Sequence, residues 1–301
     1  MTHSRATARD VLSATAVAVV VVAILGAVAS ALSLDAVLVE GVATPFVAAA
    51  IALGLNWLAF VPAALTKSER FYDLTGTLTY LLVIAFVVAT TYRARGLTII
   101  DLVTASLVVV WALRLGSFLV VRIRRAGKDA RFDEMKTRPV RFFVAWTLQG
   151  LWVFLTMLAA LAVLTRREAQ PTITPAVVVG WCVFVVGFAI EIVADRQKSD
   201  FSRRAENAGR FITTGLWAWS RHPNYAGEIL LWTGMCVSAV EVMRGPLVVV
   251  VLSPLFVFVL LRFVSGVPLL EARADAKWGE DPAYRAYKER TSLLMPRPPR
   301  S

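Results

Sequence analysis

The polar positions of this sequence are confined to short intervals between long apolar runs. Val11–Leu32, Thr44–Leu65, Gly76–Tyr92, Thr98–Val121, Phe142–Leu164, Ile173–Ala194, Tyr225–Val240 and Pro246–Val264 each carry few charges. About 20 apolar residues span a bilayer as a helix, because about 1.5 Å per residue must cover a hydrocarbon core of about 30 Å. The alternation over about ten residues that marks a membrane β-barrel strand is missing. The pattern predicts an all-α, polytopic transmembrane bundle of about eight helices. The first run follows Arg5 and Arg9 and ends near Ala29-Ser30-Ala31, as a cleaved leader would. Its apolar stretch exceeds the roughly 7–15 residues of such leaders, so it reads as a retained helix.

Charge refines the topology. The net charge of +11 invites a nucleic-acid reading, but the positive-inside rule accounts better for where the cations fall. With the N-terminus inside, segments 1–10, 66–75, 122–141, 195–212 and 262–301 hold 25 of the 32 Lys and Arg, and the outside loops hold 5. Eight crossings then leave both termini cytoplasmic, which for a bacterial protein means the inner membrane. Expected partners are membrane lipids and a lipophilic small molecule entering from the bilayer, not nucleic acid. The short Glu241–Gly245 interval leaves open whether 225–264 is two helices or a re-entrant hairpin.

Several chemistries are excluded. Two cysteines (Cys182 and Cys236) and two histidines (His3 and His222) cannot build a disulfide framework or a Cys/His-rich metal site. Neither G-x-G-x-x-G nor G-x-x-x-x-G-K-[ST] occurs, so a separate Rossmann or P-loop domain is absent. The chain reads as one transmembrane domain, with 1–42 an accessory helix and 43–301 the core. Most of its tryptophans, Trp111, Trp146, Trp217 and Trp232 among them, are expected as interfacial anchors.

Ionisable groups within apolar runs need an explanation, because the bilayer makes them costly. Glu191 and Asp195 are four apart, hence on one helix face, and Glu228 follows Asn224 by the same spacing. Tyr72 and Asp73 stand where the third helix begins. Asp101 and Arg114 share the fourth, where Arg114 is deep enough to need a carboxylate partner. Most of these groups lie toward the inner leaflet.

The richest stretch runs from Asp195 to Glu228. It contains Lys198, Arg203, Arg204 and Arg210, then Ser220-Arg221-His222-Pro223-Asn224-Tyr225-Ala226-Gly227-Glu228. Pro223 suits a first helical turn, where a missing N–H costs nothing. The free amides of that turn can hold an anion, reinforced by Arg221 and His222 and rimmed by the cations of 195–210. Anionic headgroups alone would explain the number of cations. They would not explain Asn224, Tyr225 and Glu228 entering the membrane.

Gly215 to Trp232, with its Ser-Arg-His-Pro-Asn-Tyr-Ala-Gly-Glu core, resembles the signature of a family of bacterial membrane proteins, domain-of-unknown-function group 1295. That family is related to the C-terminal part of steroid 5-alpha-reductases. Trp111–Gly116 with Arg122–Phe132, Glu191–Lys198, and Val264–Glu271 with Tyr284, Tyr287 and Pro296 look like the same family, so the likeness covers roughly residues 50–300. The resemblance implies reduction of a carbon–carbon double bond of a lipophilic enone by NADPH, bound in a cytoplasm-facing cavity of a helical bundle. It implies cofactor contacts from Asp195, Lys198, Arg203, Arg204, Arg210, Arg221, His222, Asn224, Tyr225, Glu228 and Tyr287. Steroid reductases also use a Gln-Glu pair in an early helix. That pair is missing here: either Tyr72 supported by Asp73 replaces it as the acid, or the substrate is not a steroid enone. The His-Pro-x-Tyr-x-Gly pattern is also similar to isoprenylcysteine and phospholipid methyltransferases, which bind S-adenosylmethionine. There an acid seldom follows the glycine, so Glu228 favours the reductase; the further alternative is a non-catalytic, lipid-binding membrane protein that keeps the frame without the chemistry.

Overall fold

The structure is a computed structural model that describes residues 8–126, 132–170 and 172–298. His3, Lys128, Arg131 and Arg300 therefore lie outside the described residues, as does part of the family-like stretch after Arg122. The chain forms two compact units. One comprises the described part of Met1–Ile173 with Val242–Val250, and the other Thr174–Glu241 with the described part of Val251–Ser301.

The first unit holds α1 (Ala8–Leu32), α2 (Thr44–Thr66), α3 (Tyr72–Arg95), α4 (Ile99–Ala126), α5 (Pro139–Thr156) and α6 (Leu158–Leu164). A two-residue hairpin, Leu38–Val39 against Val42–Ala43, precedes α2. Its turn uses Glu40 and Gly41, both at positive φ, as a tight hairpin of this kind requires. Between α5 and α6 the axis bends by 54° at Met157. Every residue of α6 is buried, so this segment forms the centre of the unit.

Polar pairs stitch the first unit internally. Arg95 grips Asp101 through both guanidinium nitrogens at 2.8 and 2.9 Å. The Thr91 hydroxyl donates to the Leu164 carbonyl at 2.6 Å. Arg114 stands over the Phe118 ring at 5.3 Å, and the Asp101 carboxylate goes to Arg95.

The second unit holds α7 (Pro175–Arg203), α8 (Pro223–Ser238), α9 (Leu252–Val259), α10 (Val267–Trp278) and α11 (Pro282–Arg290). A π-helical turn, Leu260–Val264, extends α9. Proline opens helix after helix: Pro45, Pro139, Pro175, Pro223, Pro268 and Pro282 all sit in first turns. Its fixed φ suits that position and no bond is lost. At α7 the Thr174 hydroxyl adds a cap by accepting from the Val177 amide, and at α11 the Asp281 carboxylate caps Ala283 at 2.8 Å.

All eight apolar runs are largely helical, and the all-α bundle is as expected. Among the described residues six helices are long and apolar enough to cross a membrane, or seven if α5 and α6 count as one broken span. The seventh expected crossing, α8, has 16 residues, about 24 Å of helix. The eighth is composite: Gly245 and Pro246 impose a 3-10 stretch to Val251 before α9 begins.

Tryptophan departs from the interfacial expectation. Trp111, Trp146 and Trp232 are fully buried and Trp217 nearly so. Their large rings fill the cores of the units, where an aromatic side chain buries more apolar area than any alternative.

Candidate functional site

The second unit is organised around backbone contact between α7 and α8. Gly180 and Gly187 on α7 face Gly234 and Gly227 on α8, each pair seven residues apart. A Cβ on Gly187 would sit 2.5 Å from the Leu231 nitrogen, and one on Gly227 would sit 2.6 Å from the Gly187 carbonyl. Small residues let helix backbones close in where no hydrophobic force separates helix from lipid. Gly227 is thus first a packing residue. Its contact with the Glu191 backbone brings the start of α8 level with the end of α7.

That registration assembles polar groups. Asn224 Nδ2 donates to Asp195 Oδ1 at 3.2 Å. Glu191, Asp195 and Glu228 are all buried, and each pair four apart lies along one helix face. Because Asp195 as a carboxylate can only accept, it fixes the Asn224 amide with Oδ1 turned away. That oxygen is buried without a hydrogen-bond partner.

The segment between the two helices is tied down in sequence. Gly215 takes φ +62, a conformation glycine adopts at no steric cost, and a Cβ there would collide with the Gln197 amide. Gln197 Oε1 accepts from the Leu216 amide at 2.9 Å. Trp217 Nε1 donates to the Ala194 carbonyl at 3.0 Å, and the Lys198 ammonium lies 4.5 Å above its ring. The Tyr287 hydroxyl donates to the Trp217 carbonyl at 2.7 Å. Residues 292–297 then run beside 219–221 as a strap: Arg221 N donates to Ser292 O at 2.8 Å, and Arg297 N to Trp219 O at 3.0 Å.

The motif ends in an ionic hub on α10. Glu271 receives His222 Nε2 at 2.9 Å and Arg221, with the Lys288 ammonium at 3.4 Å. His222 stacks on Tyr225, ring centroids 5.6 Å apart and 9° from parallel. Burial pushes His222 below the ordinary imidazole range, partly offset by the hydrogen bond to Glu271. Two more groups are buried without a hydrogen-bond partner, His222 Nδ1 and Arg221 Nε. Buried polar atoms are normally satisfied, so three unused atoms within residues 221–224 mark a place for a polar guest.

Of the expected cofactor residues, the second unit gathers Asp195, Lys198, Arg221, His222, Asn224, Tyr225 and Tyr287 by direct contacts, and Glu228 lies one turn from Asn224. Arg203, Arg204 and Arg210 are not drawn in. They are exposed, with Arg203 paired to Asp200 and Arg204 3.9 Å from Glu206. Tyr72 and Asp73 belong to the first unit. The Tyr72 hydroxyl donates to the Ala145 carbonyl at 3.0 Å, its ring packs on Phe132 and Trp146, and Asp73 lies 3.9 Å from Arg122. The expected acid therefore has its proton engaged by the backbone. Absent from the expected set were Glu271, Lys288, Gln197 and Trp217. Glu271 carried a signal of its own, as the first carboxylate after the last apolar run.

A family whose description reads "Protein of unknown function (DUF1295)" matches residues 59–291. The chain belongs to this family. The match takes in every element of the DUF1295 motif region, from Glu191 to Tyr287. A curated relative, described as a probable O-methyltransferase ustE from Ustilaginoidea virens, is 26% identical over 115 residues. That alignment covers 34% of the chain and 40% of the relative. No solved structure gives a significant match.

Proposed function

We propose that this DUF1295 protein is a membrane-embedded reductase that uses NADPH to saturate a carbon–carbon double bond of a lipophilic, steroid-like or other enone. The observation that carries the reading is the Asn224 amide. Asp195 holds it at 3.2 Å with its oxygen left over, one helical turn from buried Glu228. A carboxamide carries both a donor and an acceptor: the free Asn224 oxygen would accept from its NH₂, while its C=O calls for a donor from elsewhere in the motif. Arg221 Nε and His222 Nδ1 add an unused donor and an unused acceptor on the preceding residues. The unused atoms of residues 221–224 thus fit the polar end of a nicotinamide nucleotide.

NADPH, when bound, supplies a hydride. The chain's own residues bind and orient: Asp195 and Glu191 set the α7 side of the site, while Asn224 and Glu228 set the α8 side. Glu271 keeps Arg221 and His222 in place, and Trp217 with Tyr287 fixes the segment that leads into them. Lipid-facing helices suit a substrate that arrives laterally from the bilayer. Localisation in a bacterial inner membrane with both termini cytoplasmic is part of the same proposal, supported by the distribution of Lys and Arg.

The relative described as a probable O-methyltransferase favours a second reading, an S-adenosylmethionine-dependent methyltransferase acting on a lipophilic acceptor. Thermal unfolding of the purified protein with each nucleotide separates the two. Stabilisation by NADPH that disappears in Glu228→Ala is the expected result. Stabilisation by S-adenosylmethionine alone would overturn the reductase.

A further inference from the structure

The two ring nitrogens of His222 stand in opposite situations. The residue is 4% exposed. Nε2 lies 2.9 Å from Glu271 Oε1, whereas Nδ1 is buried without a hydrogen-bond partner. An ionised carboxylate has no hydrogen to give, so Nε2 must carry the proton of the neutral ring. Nδ1 is then a bare lone pair in a desolvated place.

Glu271 is itself held. Arg221 and Lys288 bind its other oxygen. The turn before α10 is pressed against the motif: a Cβ on Gly266 would lie 3.0 Å from the Tyr225 ring, and that ring stacks on His222. The imidazole is therefore fixed by hydrogen bonding at one edge and by stacking on one face. Such an arrangement resembles the way an acidic partner selects a histidine tautomer at metal and catalytic sites, with no metal required.

We propose that Glu271 is a positioning residue that locks His222 in its Nε2–H tautomer, and that His222 Nδ1 accepts a hydrogen bond from an N–H or O–H group of the ligand. The inference rests on the reading that a nucleotide binds at this motif. The donor it calls for is an amide, an amino group or a ribose hydroxyl. Protonation reverses the polarity at Nδ1, so that a donor faces a donor. The groups facing His222 are Glu271 from α10, Arg221 beside it, Lys198 from α7 and Tyr225 on α8, with Lys288 of α11 behind Glu271. The carboxylate favours the charged ring while Lys198, Arg221 and burial oppose it. Ligand affinity consequently holds steady above neutral pH and falls in acid as His222 takes up a proton.

The test is nitrogen NMR of the full-length protein labelled at histidine, in detergent. Only His3 and His222 contribute, and His3→Gln assigns them. At pH 8 the proton on His222 is expected at Nε2, with the Nδ1 resonance moving upfield as NADPH saturates the site. A proton on Nδ1 in the ligand-free protein overturns the proposal. So does an unmoved Nδ1 resonance when either NADPH or S-adenosylmethionine stabilises the protein. A shift with S-adenosylmethionine alone supports it and removes the reductase reading, and stabilisation by neither nucleotide removes both. Glu271→Leu should mix the tautomers and weaken binding about tenfold, while Glu271→Gln, which keeps an accepting oxygen, should stay within about threefold. The tautomer of the unmutated protein decides the matter even if Glu271→Leu does not fold.

Discussion

Asn224 and Asp195 meet at 3.2 Å, about two helical turns along α7 from the point where Gly187 touches Gly227. The two contacts are one device. The glycines remove the side chains that would hold α7 and α8 apart, and the carboxylate uses the resulting closeness to choose which end of the Asn224 amide faces away.

Reversing that choice should cost binding more than stability. In Asp195→Asn the new amide can donate to Asn224 Oδ1, leaving the Asn224 NH₂ as the free end. NADPH affinity should fall about tenfold or more, as a site left with a mispaired polar group does. Thermal unfolding should change little. Equal affinity in the variant would mean that the Asn224 oxygen does not meet the ligand.

The glycine contacts make a separate prediction about stability. Gly187→Ala and Gly234→Ala place a methyl group against backbone atoms that cannot move aside, and overpacking of this kind costs about 1–3 kcal/mol. Gly26→Ala and Gly54→Ala meet nothing within 4 Å. They should be neutral or slightly stabilising, because alanine restricts the unfolded chain. Unfolding of the four variants in detergent checks the contrast. A similar loss in all four would show that helix propensity, not close approach, governs these positions.

Much of this was legible in the sequence, for identifiable reasons. Apolar runs of 16–24 residues have one solution in a bilayer, so α1 to α4 and α7 could be drawn before any coordinate. The pairs Glu191/Asp195 and Asn224/Glu228 were also visible, because four-residue spacing on a helix dictates a shared face. Four things were not. The bend at Met157 and the 3-10 stretch after Gly245 depend on packing within an unbroken apolar run, where composition does not vary. The inward tryptophans look like anchors in a one-dimensional reading, because helix depth and rotation are both unknown there. Glu271 reaches His222 from 49 positions away, a distance over which no local periodicity speaks.

Stability should depend on pH on both sides of neutrality. Burial lowers His222 below 6.5 in the folded protein, so the unfolded chain binds more protons as pH falls. The contribution is fully present above about pH 6.5 and is lost as pH drops through that value toward the lower folded one. On the alkaline side Tyr284 is pushed up to about 12, first by burial and then by the nearby Glu271 and Asp275 carboxylates. Its contribution is complete below about pH 10 and is lost as pH rises from there toward 12. Unfolding temperatures should therefore fall at both ends. His222→Phe should flatten the acid limb below about pH 6.5, and Tyr284→Phe the alkaline one. An unchanged acid limb in His222→Phe would place the sensitive group elsewhere.

Tyr72 offers the sharpest division between chemistry and support. Its sequence position made it the expected acid, yet its hydroxyl donates to the Ala145 carbonyl and its ring fills an aromatic cluster with Phe132 and Trp146. Tyr72→Phe keeps the ring and removes the hydroxyl. If the hydroxyl only ties α3 to α5, the variant should lose about 0.5–1.5 kcal/mol of stability, the usual net worth of one hydrogen bond. Turnover of an enone substrate would then stay within a few-fold of the parent. A general acid contributes about 10²–10⁴-fold, so a loss of that size at unchanged NADPH affinity would return Tyr72 to the chemistry. The geometry favours the first outcome, because a hydroxyl already donating to a backbone carbonyl must break that bond before it can polarise a substrate.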